Sequence, residues 1–137
     1  MYLFTNSVNN DIISISLNDI SRRFNMRETV TGGALTESTF FILISVYTPN
    51  HGYGIMQFVK QKTNGRLILG PGTLYGALKS LVKKGWVSQE IDAAVVDSEK
   101  KKLYVITDAG KEAVEEEINR MSEVLVTAIK VINHRES

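Results

Sequence analysis

Residues 70–85, GPGTLYGALKSLVKKG, carry the densest set of groups suited to meeting a polyanion. Thr73, Tyr75, Gly76, Lys79, Ser80, Lys83 and Lys84 supply hydroxyls, one aromatic ring and three cations, with no carboxylate among them. Cations and hydroxyls hold nucleic-acid phosphates in register, and side chains that reach base edges read sequence. Leu74, Ala77, Leu78, Leu81 and Val82 recur at the spacing of one face of a 3.6-residue helix, which turns the polar groups outward. Gly70 suits the N-cap, Pro71 the first helical position, and Gly85 the left-handed residue that ends a helix.

Other chemistries are poorly provided for. The chain has no cysteine, so disulfides and thiolate metal sites are excluded. Its two histidines are far apart, and no serine, aspartate or second histidine stands near His51 at the spacing of a triad or metal site. His51 reads as a turn or capping residue and His134 as part of a fraying helix end. Neither an enzyme nor a cofactor is expected.

Length and composition fit an ordinary soluble protein with one real core: 137 residues, 43% hydrophobic and 23% charged. The start, MYLFTNSVNN, has neither the basic region nor the apolar stretch of a secretory signal, and the longest apolar run, 40–44, is too short for a membrane span. The expectation is a cytoplasmic protein. Net charge is +1, but the distribution is uneven. From Lys60 to Lys102 nine basic residues face four acidic ones, +5, while from Leu103 onward four basic face seven acidic, −3. The central third is where an anion would bind, although a charge run is also the ordinary dress of a solvated face.

The remaining elements follow from periodicity. Residues 1–34 form an amino-terminal extension in which Ile13, Ile15 and Leu17 alternate like a strand and 18–24 could make a short helix. Met26 stands where a shorter chain could begin. Thr36 caps a helix, STFFILISVY, apolar enough around its circumference to be buried on several sides. Pro49 stops it, and a second helix over 52–63 places Ile55, Phe58 and Val59 on one face and closes at Asn64-Gly65. Arg66 to Leu69 is a small strand or an extended connector leading into Gly70. Two short helices, the second with a polar outer face, describe a helix-turn-helix.

Beyond Gly85 the period changes to two. Val87, Gln89 and Ile91 share one side of a strand that Leu103-Tyr104-Val105-Ile106 can pair, and the polar DSEKKK between them makes a hairpin tip. Lys100, Lys101 and Lys102 there would supply nonspecific affinity for phosphates. Thr107 then caps a terminal helix reaching about Asn133, in which Val114, Ile118, Met121, Leu125, Ala128 and Ile132 repeat at 3.5 residues, the period of a coiled-coil seam. Such a helix either lies on its own domain or pairs with a second copy; its length and the added apolar Val124 and Ile129 favour the copy.

Three segments, His51-Gly52-Tyr53-Gly54-Ile55, Gly72-Thr73-Leu74-Tyr75-Gly76-Ala77-Leu78 with Gly85-Trp86, and Lys102 to Gly110 (KLYVITDAG), resemble in order and spacing the PadR family of bacterial transcriptional regulators. The resemblance runs from about Leu35 to the end and looks like the subgroup with a single terminal helix. It implies a mainly α protein with a small β-hairpin: a winged helix-turn-helix over 35–106 and a dimerisation helix over 107–137. It also implies a homodimeric repressor on a pseudo-palindromic operator, often released by a small aromatic or drug-like effector. The chain departs from the family in its long extension and in Gly76, where many members place proline.

On this reading Thr73, Tyr75, Gly76 and Lys79 lie nearest the bases and adjoining phosphates, Lys83 and Lys84 touch the backbone, and Lys100, Lys101 and Lys102 act from the wing. Tyr75 has ordinary packing against the second helix as its alternative. Tyr47, Phe58, Trp86, Met121 and Leu125 could wall an effector pocket, or simply belong to the core. A competing reading is a winged-helix interaction or assembly module that dimerises without reading DNA sequence.

Overall fold

The computed structural model describes residues 2–5, 12–15, 33–96 and 102–134. The chain divides into two compact units, Leu35–Val114 on the one hand and Met1–Ala34 with Glu115–Ser137 on the other.

Three helices build the first of these. Helix α1, Glu37–Ser45, starts where Thr36 accepts a hydrogen bond from the Thr39 amide at 3.2 Å, which satisfies one orphan donor of the first turn. Ile42, Leu43 and Val46 are wholly buried, whereas Phe40, Phe41 and Ile44 are only partly covered, so α1 buries one broad face rather than its whole circumference. Glu37 accepts two hydrogen bonds from the Arg66 guanidinium, tying the start of α1 to the connector before the third helix. That guanidinium holds the Glu37 carboxyl below its ordinary range.

Helix α2, Gly52–Lys62, ends in a turn where Asn64 and Gly65 have φ of 53° and 78°. Buried Thr63 holds that turn together: its hydroxyl donates to the Val59 carbonyl at 2.7 Å and accepts from the Leu67 amide at 3.0 Å. Residues 66–69 are a connector and not a strand, with Leu69 buried and Ile68 exposed. Helix α3, Pro71–Lys83, follows, with Leu74, Leu78 and Leu81 buried. Each such leucine contributes roughly 1.5–3 kcal/mol through burial. Ala77 is half-covered and Val82 lies at the exposed edge of the stripe. Gly85 has φ of 78°, the left-handed value expected of it.

Strands β3, Val87–Ile91, and β4, Lys102–Ile106, pair antiparallel with Val87 opposite Ile106 and Ile91 opposite Lys102. The amide of Asn50 donates to the Tyr104 carbonyl at 3.0 Å and the Tyr104 amide returns a bond to the Asn50 carbonyl at 2.9 Å, so the turn before α2 pairs with β4 as a one-residue third strand. Val87, Gln89 and Ile91 stand at alternate positions of this ladder and so share one side, as their spacing predicts, but that side is not buried throughout. Val87 is 2% exposed but Ile91 is 66% exposed, because only the base of the hairpin reaches the core while its outer end projects into solvent. Residues 97–101, the expected tip with Lys100 and Lys101, lie outside the described residues.

Helix α4, Asp108–His134, begins in this unit. Thr107 caps it, accepting from the Gly110 amide at 3.1 Å while its hydroxyl donates to the Gly85 carbonyl at 2.6 Å. A β-carbon on Gly110 would collide with the Trp86 carbonyl, so glycine lets the first turn of α4 sit against the end of α3.

In the other unit, β1, Tyr2–Thr5, pairs antiparallel with β2, Ile12–Ile15, with Tyr2 opposite Ile15 and Thr5 opposite Ile12. The strand pattern read on Ile13 and Ile15 is present as β2; its continuation to Leu17 and the helix expected over 18–24 lie outside the described residues. Strand β1, YLFT, lacks the alternation of apolar and polar residues that marks β2 in the sequence. From Glu115 onward α4 buries Glu117, Ser122 and Ile129 and leaves Met121, Val124, Val131 and Ile132 exposed. Glu117 accepts from the Arg120 guanidinium at 3.0 Å, which offsets the cost of burying its charge. Among the described residues no helix is long and apolar enough to cross a membrane.

Candidate nucleic-acid interface

The outward face of α3 is set by what the inward face buries. With Leu74, Leu78 and Leu81 fixed in the core, the 3.6-residue period leaves Thr73, Gly76, Lys79, Ser80, Lys83 and Lys84 exposed along one side. No acidic residue lies within α3, so its only charges are positive.

Tyr75 is both exposed and packed. It keeps 46% of its surface open, yet its hydroxyl rests on Gly52 at the start of α2, where a β-carbon would collide with it. Gly54 similarly leaves room for the Asn50 side chain, whose amide donates to the Ser45 carbonyl at 3.3 Å. The glycines of HGYG therefore admit two side chains from outside α2. A methyl at Gly76 would instead meet open space.

His51 occupies the N-cap of α2 but does not cap it. Its ring reaches the wing: Nδ1 lies 3.0 Å from the Lys102 carbonyl oxygen and Nε2 lies 3.2 Å from Asp92 Oδ2. The residue thus stands at the expected cap position, where its carbonyl accepts from the Ile55 amide at 3.0 Å, and its side chain adds a bridge between the helix-turn-helix and the hairpin. Between α2, α3 and the wing lies a cleft of about 780 Å³ lined by His51, Tyr53, Met56, Tyr75, Val95 and Lys102. Tyr53, 70% exposed, is named in the sequence only as part of the HGYG segment and is given no site role there; that segment was the available signal. Behind the cleft, burial raises the Tyr104 phenol above its ordinary pKa, and the neighbouring Tyr75 adds to the shift.

Lys102 opens β4 on the cleft side, so of the three wing lysines it is placed beside α3; Lys100 and Lys101 lie outside the described residues. The Lys84 ammonium sits 4.9 Å from the centre of the Trp86 ring, a cation–π contact that holds it at the end of α3. Of the five aromatic and apolar residues considered as pocket walls, Tyr47 and Met121 are exposed, while Phe58, Trp86 and Leu125 are half-buried. None of them lines the cleft beside α3. Along α4, Val114 is buried, Ile118 and Leu125 are half-buried, and Met121, Ala128 and Ile132 are exposed. The stripe that remains open is accordingly Met121, Val124, Ala128 and Val131, with Ile132 beside it.

Residues 42–116, more than half of the chain, match the model of the transcriptional regulator PadR-like family. The chain belongs to that family. A crystal structure of Bacillus subtilis PadR in complex with operator DNA is similar at 22% identity and a TM-score of 0.52, over 59% of this chain and 46% of that one. A PadR family transcription regulator from Clostridium difficile aligns at 23% identity and 0.51 over 73% and 98% of the two chains. A candidate transcriptional regulator from Thermoplasma acidophilum is 31% identical, at 0.50, over 71% and 87%. No curated protein matches the chain. This PadR-like regulator thus has the winged helix-turn-helix and long terminal helix of its relatives, with a further two-stranded hairpin near its amino terminus.

Proposed function

We propose that this PadR-like protein binds double-stranded DNA as a homodimer and represses transcription from a pseudo-palindromic operator. The observation that carries the reading is the acid-free outer face of α3, held outward by Leu74, Leu78 and Leu81 and flanked by the wing at Lys102. Thr73, Tyr75, Gly76 and Lys79 then enter the major groove, Lys83 and Lys84 meet phosphates, and Lys100, Lys101 and Lys102 track the backbone from the wing. The complex of B. subtilis PadR with operator DNA supports this use of the fold.

Pairing is assigned to α4, whose exposed Met121, Val124, Ala128 and Val131 are spaced three, four and three residues apart. Two copies would set their α3 helices one DNA turn, about 34 Å, or a multiple apart, and so give the operator its symmetry. Release by a small aromatic or drug-like effector, and action in the cytoplasm, complete the proposal.

Selection of bound duplexes from a random library tests it directly. A palindromic site is expected, and recovery of sequences without symmetry or preference would leave the non-reading interaction module in its place. On the selected site, Lys79→Ala should make the slope of log affinity against log salt shallower by about 0.9. An unchanged slope removes Lys79 from the interface. Effector release is read by titrating the bound complex with phenolic and cationic aromatics.

A further inference from the structure

His51 is bonded to both legs of the wing. Asp92 follows β3 directly and Lys102 opens β4, so the ring spans the base of the segment that contains Lys100 and Lys101. Its two partners, 3.0 Å and 3.2 Å away, are a backbone carbonyl and a carboxylate, and both accept hydrogen bonds only. A neutral imidazole has one N–H; it can serve one of them and must turn a lone pair toward the other. The doubly protonated ring donates to both.

We propose that His51 is a positioning residue, a proton-dependent latch that fixes the direction of the wing relative to α3. Histidine is the side chain whose ordinary titration falls between about pH 5 and 8. With both nitrogens protonated, Nδ1–H holds Lys102 and Nε2–H holds Asp92, and the wing is pinned at the outer end of its paired strands. Loss of one proton releases one leg. The anchors that remain on β4 include the two bonds between Asn50 and Tyr104, two residues further along than Lys102, and the bond from the Ile106 amide to the Val46 carbonyl at 2.8 Å. The titratable and charged groups that share this corner are Asp92 and Lys102 on the wing, Tyr75 on α3 and Tyr53 on α2.

The latch matters to DNA because α3 and the wing must meet one duplex together, a step that rests on the function proposed above. Its own geometry is tested without DNA. The chain has no cysteine, and Val96 is 94% exposed, so Val96→Cys accepts a single spin label on the wing. Relaxation of amides at the start of α2 then reports the distance to the wing. Between about pH 6 and pH 8 the enhancement should weaken in the otherwise native chain. Asp92→Asn should remove this pH dependence, since its side-chain amide donates to a neutral Nε2 and keeps the latch closed. An enhancement that is independent of pH in the native background overturns the proposal.

Fluorescence anisotropy with the selected duplex provides the second arm. Affinity of the native protein should fall about three- to tenfold from the lower to the higher pH, the scale of one net hydrogen bond. Asp92→Asn should be flat, and His51→Ala weak at both values. If Asp92→Asn keeps the native pH profile, the imidazolium is touching DNA itself and the latch is wrong. Failure of every variant to bind DNA, with the label behaving as expected, would overturn the DNA reading and leave the latch standing.

Discussion

The hydroxyl of Tyr75 lies directly against Gly52, at the point where any other residue would place its β-carbon. One contact thereby sets the closeness of α3 to the start of α2 and the direction of the one aromatic side chain on the outer face of α3. Gly52→Ala should destabilise the protein by about 1–3 kcal/mol through overpacking. Pairing it with Tyr75→Ala should recover much of the loss, a non-additivity that urea unfolding of the single and double variants would measure. Additive effects would show that the two residues do not restrict one another.

Gly76 presents the opposite case. Its added methyl would meet open space, so nothing inside the chain requires glycine there. Gly76→Ala should raise unfolding stability by about 0.5–1 kcal/mol, the usual difference between the two residues in a helix interior. The same variant should bind DNA more weakly if the backbone of α3 approaches the groove at this point. Thermal unfolding and anisotropy on one preparation check both halves, and a stabilised variant with native affinity would place Gly76 away from the DNA.

Alkaline conditions should expose the burial of Tyr104. Its phenol titrates above the ordinary value of 10.0, chiefly through burial and secondarily through Tyr75. The folded chain therefore retains this proton to higher pH than the unfolded chain does. The resulting stability is present in full below pH 10.0 and is lost as pH rises through the folded value. Tyr104→Phe cannot ionise and should flatten that part of the decline, as measured by urea midpoints on either side of the transition.

On α4 the exposed and buried apolar residues separate the effects of pairing from those of folding. Val124→Lys with Val131→Glu, both at exposed positions, should convert a dimer to a monomer in sedimentation while leaving the helical circular dichroism unchanged. Ile129→Ala, at a buried position, should instead cost about 2–5 kcal/mol in stability. A double surface variant that remains dimeric would move the pairing surface elsewhere.

These contrasts mark where the sequence stopped being sufficient. Leu74, Leu78 and Leu81 recur with the helical period, so their burial and the outward direction of Lys79 and Lys83 follow from spacing alone. Thr36, Gly85 and Thr107 were legible for a similar reason: a cap or a left-handed turn is a property of a few adjacent residues. Residues joined over long separations were not legible. His51 and the Lys102 carbonyl are 51 positions apart, and no local pattern encodes that meeting. Periodicity named an apolar seam on α4 running from Val114 to Ile132, and the tertiary structure then buried Val114 and Ile129 while leaving Val124 and Val131 open. The same division applies to β3, where alternation put Ile91 with Val87 and only the reach of the core excluded it. The sequence by itself determined the helices and wing strands of residues 35–134, their caps and the phase of each face, because those depend on neighbours along the chain. Tertiary structure decided which faces stay open, how Tyr75 is aimed and what holds the wing, because those depend on packing between segments far apart in sequence.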